Sequence, residues 1–302
     1  MQLRLEKRKE KATEHPVRRA KYALILAVAV YDAETLPNLA NPINDALKLQ
    51  ATLLELGWQV KIATSLGFKK AEKEMKKFAG SRAKGDDDCL FAFVGHGSQI
   101  NGRNYLAAAN SKLDWEYDDE TEFEDALKLS YLSFDDVLEA FNDARGSSSG
   151  VTVFVLDCCR TGFEAAEQTA PTSAAEPTKK GRSVDSSSTS RAPSIAKLRA
   201  ASGSGPGFLN SMVIYSTASG NVADDGMTDG KPDEGGPFMG IFCEEIASGD
   251  EVSQVMKRVR KRLWEEKPDL CQIAPDESLL VEDFVFSTKR EQGGEGGAAQ
   301  DA

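Results

Sequence analysis

Three apolar runs, Tyr22 to Val30, Cys89 to Val94 and Val151 to Leu156, are interrupted by a single polar residue, Thr152, and constrain the fold more than any other feature of the chain. A strand that is apolar along its whole length has to be covered on both faces, which is the pattern of a parallel sheet held between helical layers. The intervening segments supply the helices. Ala46, Leu49, Leu53 and Leu56 recur at helical spacing behind Asn44 or Asp45, either of which can cap the helix, and Gly57 ends it. Trp58 to Ala63 reads as a second strand, and Lys69 to Arg82 as an amphipathic helix with Met75 and Phe78 turned inward. The resulting order, β-α-β-α-β, predicts an α/β, Rossmann-like three-layer sandwich with a mostly parallel sheet and helices on both faces.

Further along, Ser133 to Ala144 reads as a helix, with Ser133 as N-cap and Phe134, Val137, Leu138 and Phe141 on one face. Met212 to Ser216 follows as a strand, Pro237 to Ile246 and Val252 to Glu265 as helices, and Phe284 to Ser287 as a closing strand. The acidic stretch Asp114 to Asp125 reads as a solvated insertion. From about Glu164 to Gly207 the composition turns to Ser, Thr, Ala, Pro and Gly, which cannot bury enough surface to order itself. The expected organisation is a disordered leader (1–20), a first core region (21–163), a low-complexity linker (164–207), a second region completing the same domain (208–288) and a disordered tail (289–302).

Length and charge narrow the function. The 302 residues suit one domain of ~250 residues plus tails. With 48 acidic against 37 basic side chains, net −11, the chain repels phosphate backbones and offers no broad basic face, so nucleic acid is excluded as an expected partner. Basic residues ahead of Tyr22 to Val30 outline a signal peptide, but Tyr31-Asp32-Ala33-Glu34 is no small-residue cleavage site, and the run fits a core strand. No other stretch approaches the ~20 apolar residues of a membrane span. Five cysteines without paired spacing argue against a disulfide scaffold and for a reducing, cytoplasmic setting.

Two of the strands end in reactive side chains: Phe91-Ala92-Phe93-Val94-Gly95-His96-Gly97 and Val153-Phe154-Val155-Leu156-Asp157-Cys158-Cys159-Arg160. Open α/β sheets place their sites just past the carboxyl ends of strands. A thiol becomes a strong nucleophile when an imidazole takes its proton, and the same imidazole can return that proton to a leaving amine. Of the two histidines, His15 lies in the charged leader, so His96 is the partner available to Cys159. The amides of Gly97 and Cys159 are candidate donors to a developing oxyanion. A nucleotide-binding reading fails, because Tyr31-Asp32-Ala33 is not a glycine-rich phosphate loop.

The order of the Gly95-His96-Gly97 and Asp157-Cys158-Cys159-Arg160 motifs resembles the caspase, metacaspase and paracaspase superfamily. Supporting segments are Tyr22-Ala23-Leu24-Ile25, Asn41-Pro42-Ile43-Asn44-Asp45-Ala46, Asn104-Tyr105-Leu106, Tyr215-Ser216-Thr217-Ala218 and Gly236-Pro237-Phe238. The resemblance covers roughly 22–163 and 208–288, equivalent to the large-subunit and small-subunit portions. It implies a caspase-like fold and a cysteine endopeptidase in which Cys159, rather than Cys158, is the nucleophile and His96 the acid and base. Asp157, two residues before the nucleophile, is the metacaspase and paracaspase pattern, and Arg160 leans toward the paracaspase-like or prokaryotic-type branch.

The resemblance also implies specificity. The positions matching the acidic primary pocket are Asp45 and Asp157, with Asp224 and Asp225 as weaker additions, and two carboxylates there would bind a guanidinium. The expected substrates are proteins or peptides with Arg, then Lys, before the scissile bond, not Asp. Asp45 as a helix cap and Asp157 as a strand-end carboxylate bonded to backbone are the competing roles. Lys179, Lys180, Arg182, Arg191, Lys197 and Arg199 in the linker are sites for autoprocessing, or belong to a spacer that is never cut. No metal or other cofactor is required on this reading. Calcium at Asp135-Asp136 is the open alternative, against a helix first turn in which acids favour the dipole. The rival to the enzyme is a catalytically inactive caspase-like module that binds protein partners.

Overall fold

The computed structural model describes residues 19–33, 36–112, 120–146, 148–160, 210–228, 231–232, 235–268 and 272–287. In chain order its elements are β1 (Lys21–Ala27), α1 (Pro42–Glu55), β2 (Gln59–Thr64), α2 (Phe68–Arg82), β3 (Asp88–Val94), β4 (Gly97–Ile100), β5 (Arg103–Ala107), α3 (Glu120–Ser130), β6 (Tyr131–Ser133), α4 (Phe134–Arg145) and β7 (Thr152–Asp157). There follow β8 (Ser211–Tyr215), the short β9 (Met227–Thr228) and β10 (Lys231–Pro232), α5 (Pro237–Ile246), α6 (Val252–Glu266) and β11 (Asp276–Ser278). The main sheet has the order β11-β8-β7-β3-β1-β2. All its pairs are parallel except β11 with β8. A smaller antiparallel sheet, β4-β5-β6, follows β3, and β9 pairs with β10.

The apolar strands are covered on both faces, as their composition requires. On β1, Ala23, Ile25 and Ala27 pack with Leu49 and Leu53 of α1, Phe242 of α5 and Val255 and Val259 of α6. Leu24 and Leu26 face the other way, against Met75 of α2, Leu127 of α3 and Phe141 of α4. The chain therefore forms the three-layer α/β sandwich, with α1, α5 and α6 on one side and α2, α3 and α4 on the other. The linker 164–207, the leader through residue 18 and the tail from 288 lie outside the described residues.

Several local expectations change. β1 ends at Ala27, and Val30 is 56% exposed rather than in the strand. The last two leader residues are anchored: Arg19 pairs with Glu282, and the Ala20 amide donates to Asp87 at 3.0 Å. Helix α1 begins at Pro42, so neither Asn44 nor Asp45 caps it. Asn41 holds the cap position without a side-chain cap bond. Residues 120–125 of the acidic stretch are not a solvated insertion but the start of α3, because Phe123 and Leu127 give it an apolar stripe that is buried. The closing strand is β11, not Phe284 to Ser287. Phe284 and Phe286 instead pack edge-to-face against each other at 5.3 Å and beside Trp58, whose indole donates to the Phe286 carbonyl at 2.8 Å. α2 exposes Lys69, Lys70, Lys73, Lys76 and Lys77, with Lys76 paired to Glu72 on the same helix.

Candidate functional site

Register places the two reactive loops side by side. β3 and β7 are neighbours in the main sheet, and Val94 pairs with Asp157. His96 and Cys159 thus each stand two residues beyond one rung of a parallel ladder, on strands roughly 4.8 Å apart. The Gly95 amide donates to the Asp157 carbonyl at 3.1 Å and carries the ladder one bond further. Gly95 has φ +154°, and a Cβ there would stand 2.7 Å from the Tyr31 hydroxyl and 3.0 Å from the Val28 carbonyl oxygen. At Gly97 a Cβ would meet Cys158 Sγ at 2.7 Å and the Cys159 carbonyl oxygen at 2.8 Å. Both glycines flanking His96 are required by close approach: one to the end of β1, the other to the Cys158-Cys159 turn.

His96 is held from three sides. Its Nε2 lies 2.8 Å from the Pro37 carbonyl oxygen. Its backbone N–H donates to the Tyr31 hydroxyl at 2.8 Å, and that hydroxyl donates onward to the Val28 carbonyl at 3.0 Å. The Tyr31 and His96 rings are 4.8 Å apart, tilted by 47°. Since a carbonyl oxygen can only accept, Nε2 of the neutral ring carries the proton and Nδ1 keeps a free lone pair. Burial holds the imidazole below its ordinary range, against the raising effects of the Pro37 carbonyl and Asp225. The Cys159 thiol is half-buried, and its Sγ lies 3.8 Å from the Ala223 carbonyl oxygen. Burial pushes this thiol up; the Ala223 contact opposes that, and Asp157 and Asp225 add to it. Both groups are consequently neutral near pH 7. Cys158 is fully buried in the core, with its thiol driven further up by burial.

Carboxylates line the same cavity. A space of about 160 Å³ is bounded by Asp45, His96, Asp157, Cys159, Asp224 and Asp225, with apolar walls from Leu39, Val94 and Val222. Asp45, only 2% exposed, accepts the Gly236 amide at 2.9 and 3.0 Å through its two carboxylate oxygens. Its helix-cap role is thereby excluded. Burial raises it to about 6, the Gly236 bond opposing and Asp225 adding. Asp157 is 8% exposed and is raised further, first by burial and then by Asp45. Asp225 is joined to the loop before α1, accepting the amides of Ala40 at 2.7 Å and Asn41 at 3.3 Å. The Asn41 side chain returns the link, donating to the carbonyls of Asp225 and Gly226 at 2.6 and 2.9 Å.

The structure thus brings together His96, Gly97, Cys159, Asp45 and Asp157, and adds Asp224 and Asp225. Asp135 lies apart, with its carboxylate 3.4 Å from Arg103, and no cluster of three or more metal-ligating side chains occurs among the described residues. Tyr31, Pro37 and Ala223 were not expected from the sequence. Tyr31 carries one available signal, an aromatic just past a core strand. Pro37 and Ala223 act through backbone oxygens, which leave no trace in residue type.

The chain matches a family model described as "Caspase domain" over residues 20–284. It is also similar in structure to caspase-1 from Spodoptera frugiperda, with a TM-score of 0.61 and 16% identity over 91% of this chain and 92% of that one. No curated protein matches it. At that identity the structural likeness concerns the fold alone. The family match spans nearly the whole described core, and with it the strands that carry His96 and Cys159: the chain belongs to the caspase-domain family of cysteine-type peptidases.

Proposed function

We propose that this protein is a cysteine endopeptidase, of metacaspase or paracaspase type, that cleaves after Arg and then Lys. The carrying observation is the cavity shared by His96, Cys159 and the carboxylates Asp45, Asp157 and Asp225. Cys159 attacks the scissile carbonyl carbon while Nδ1 of His96 takes its proton, and Nε2 keeps the bond to Pro37 that sets the ring orientation. The amides of Gly97 and Cys159 stabilise the oxyanion. His96 then gives the proton to the leaving amine, and a water, deprotonated by the same imidazole, hydrolyses the thioester.

A substrate guanidinium does more than bind in this scheme. Burial first, and the carboxylates Asp157 and Asp225 in addition, hold the thiol protonated, so a cation bound beside those carboxylates offsets their share of the bias and favours thiolate when substrate is present. Cleavage after Lys179, Lys180, Arg182, Arg191, Lys197 or Arg199 in the 164–207 linker is the autoprocessing this specificity allows. A free Cys159 thiol suits a reducing, cytoplasmic setting.

The test is turnover of fluorogenic peptides ending in Arg, Lys or Asp, with calcium and with a chelator. The expected order is Arg above Lys, with Asp uncut and calcium without effect, and Cys159→Ala or His96→Ala lowers the rate by ~10³-fold or more. No turnover in the wild type, undiminished turnover in Cys159→Ala, or a preference for Asp would overturn the proposal. No turnover together with specific protein binding would favour the inactive interaction module.

A further inference from the structure

A buried chain of polar side chains runs from the loop after Cys159 to the hairpin after His96 and on to the loop that roofs the cavity. Arg160 Nε donates to Asn104 Oδ1 at 3.2 Å, and the same oxygen accepts Gln99 Nε2 at 3.0 Å. Gln99 Oε1 in turn accepts the Ser219 hydroxyl. Arg160 Nη1 donates to the Thr217 carbonyl at 3.3 Å, and its guanidinium lies 3.9 Å over the Tyr215 ring. Two backbone bonds close the circuit, from Arg160 N–H to the Asn221 carbonyl at 2.9 Å and from Gly220 N–H to the Arg160 carbonyl at 2.8 Å. Gln99, Asn104 and Arg160 are each less than a tenth exposed.

The placement of this chain makes it more than packing. Gln99 and Asn104 face each other across the β4–β5 pair, so the hairpin that begins at Gly97 presents a fixed amide to Ser219. Loop 217–225 carries Val222, Ala223, Asp224 and Asp225, four of the residues bounding the cavity. Thr217 Oγ1 donates to the Val222 carbonyl at 3.2 Å and passes the restraint along the loop. An apolar core would fill the same space without selecting one loop position, whereas a satisfied polar network is directional.

We propose that Gln99 and Asn104 are positioning residues. Through Ser219 and Arg160 they hold loop 217–225 at the height where its carboxylates meet the cation of a bound peptide. The inference deepens the peptidase reading and rests on it for the substrate, but not for the loop restraint. In Gln99→Met, which keeps the volume and loses both bonds, KM for an Arg peptide rises ~10-fold while kcat changes by less than about twofold. Hydrogen–deuterium exchange then quickens in 217–225 and stays unchanged in β1, β3 and β7.

Because Gln99 is buried, the exposed Ser219 supplies a second test that does not threaten folding. Ser219→Ala shows the same pattern to a smaller degree, and Ser219→Thr, which keeps the hydroxyl, restores wild-type values. Exchange unchanged in 217–225, exchange quickened throughout the sheet, or kcat and KM altered to the same extent would each overturn the proposal. Exchange is read without substrate, so a wild type with no turnover would remove the peptidase reading while leaving the loop restraint tested.

Discussion

Asp45 stands in the first turn of α1, where acids normally serve their own helix, yet its carboxylate reaches the amide of Gly236 ahead of α5. Its folded pKa, raised by burial to about 6, exceeds the ordinary carboxylate value of about 4. A group raised on folding contributes stability that is full below pH ~4 and is lost as pH rises through about 6. Wild type is therefore expected to lose stability at this site as pH rises from about 4 through about 6, alongside the neighbouring Asp157, which burial and Asp45 raise further. Asp45→Asn should flatten that slope in urea titrations while sharply lowering kcat/KM for Arg peptides. An unchanged slope would mean that Asp45 is not strained by burial. The candidates His96 and Cys159 were legible at this scale because imidazole and thiol carry the chemistry in their residue type, with the family resemblance choosing Cys159 over the adjacent Cys158. Pro37 and Ala223 were not, since any residue supplies a carbonyl.

Elements whose apolar pattern is long and regular, such as α2, α4 and α6, follow from the sequence almost to their ends. Short or mixed elements do not. The acidic charge of Asp114 to Asp125 hides the buried stripe of Phe123 and Leu127 in α3, and Phe284-Val285-Phe286 looks like a strand because alternate aromatics suit one. In the fold those rings close the end of the core beneath Trp58, with Phe242 5.8 Å from Phe286. Phe286→Ala is predicted to cost about 3–5 kcal/mol by leaving a cavity among Trp58, Phe242 and Phe284. Thermal denaturation at neutral pH measures it. A loss comparable to an exposed substitution, under about 0.5 kcal/mol, would show that this C-terminal segment is not part of the cooperative core.

Across the whole molecule, the two stretches of chain flanking the linker share one sheet. β8 lies between β7 and β11, with Thr152 to Leu156 paired to Ser211 to Tyr215, and α5 and α6 pack on the face that α1 covers. Cutting the linker breaks one covalent connection and none of those contacts. A chain nicked within 164–207 is thus expected to run as a single species of unchanged size on gel filtration and to separate only in denaturant. Dissociation under native conditions would show that the linker, rather than the shared sheet, holds the two stretches together. The basic face of α2 belongs to this scale too: a net charge of −11 does not report how its charges are distributed.

Periodicity and residue type determined the layer architecture and narrowed the candidate chemistry to His96 and the adjacent Cys158 and Cys159, because burial on two faces and thiol–imidazole chemistry both write themselves into composition; the family resemblance made the choice of Cys159. Strand order, register and the inward approach of Asp225 were decided only by tertiary structure. A strand's neighbours depend on how the whole sheet closes, and nothing in β3 or β7 by itself states that Val94 meets Asp157. That one pairing is what converts two motifs sixty-three residues apart into a single site.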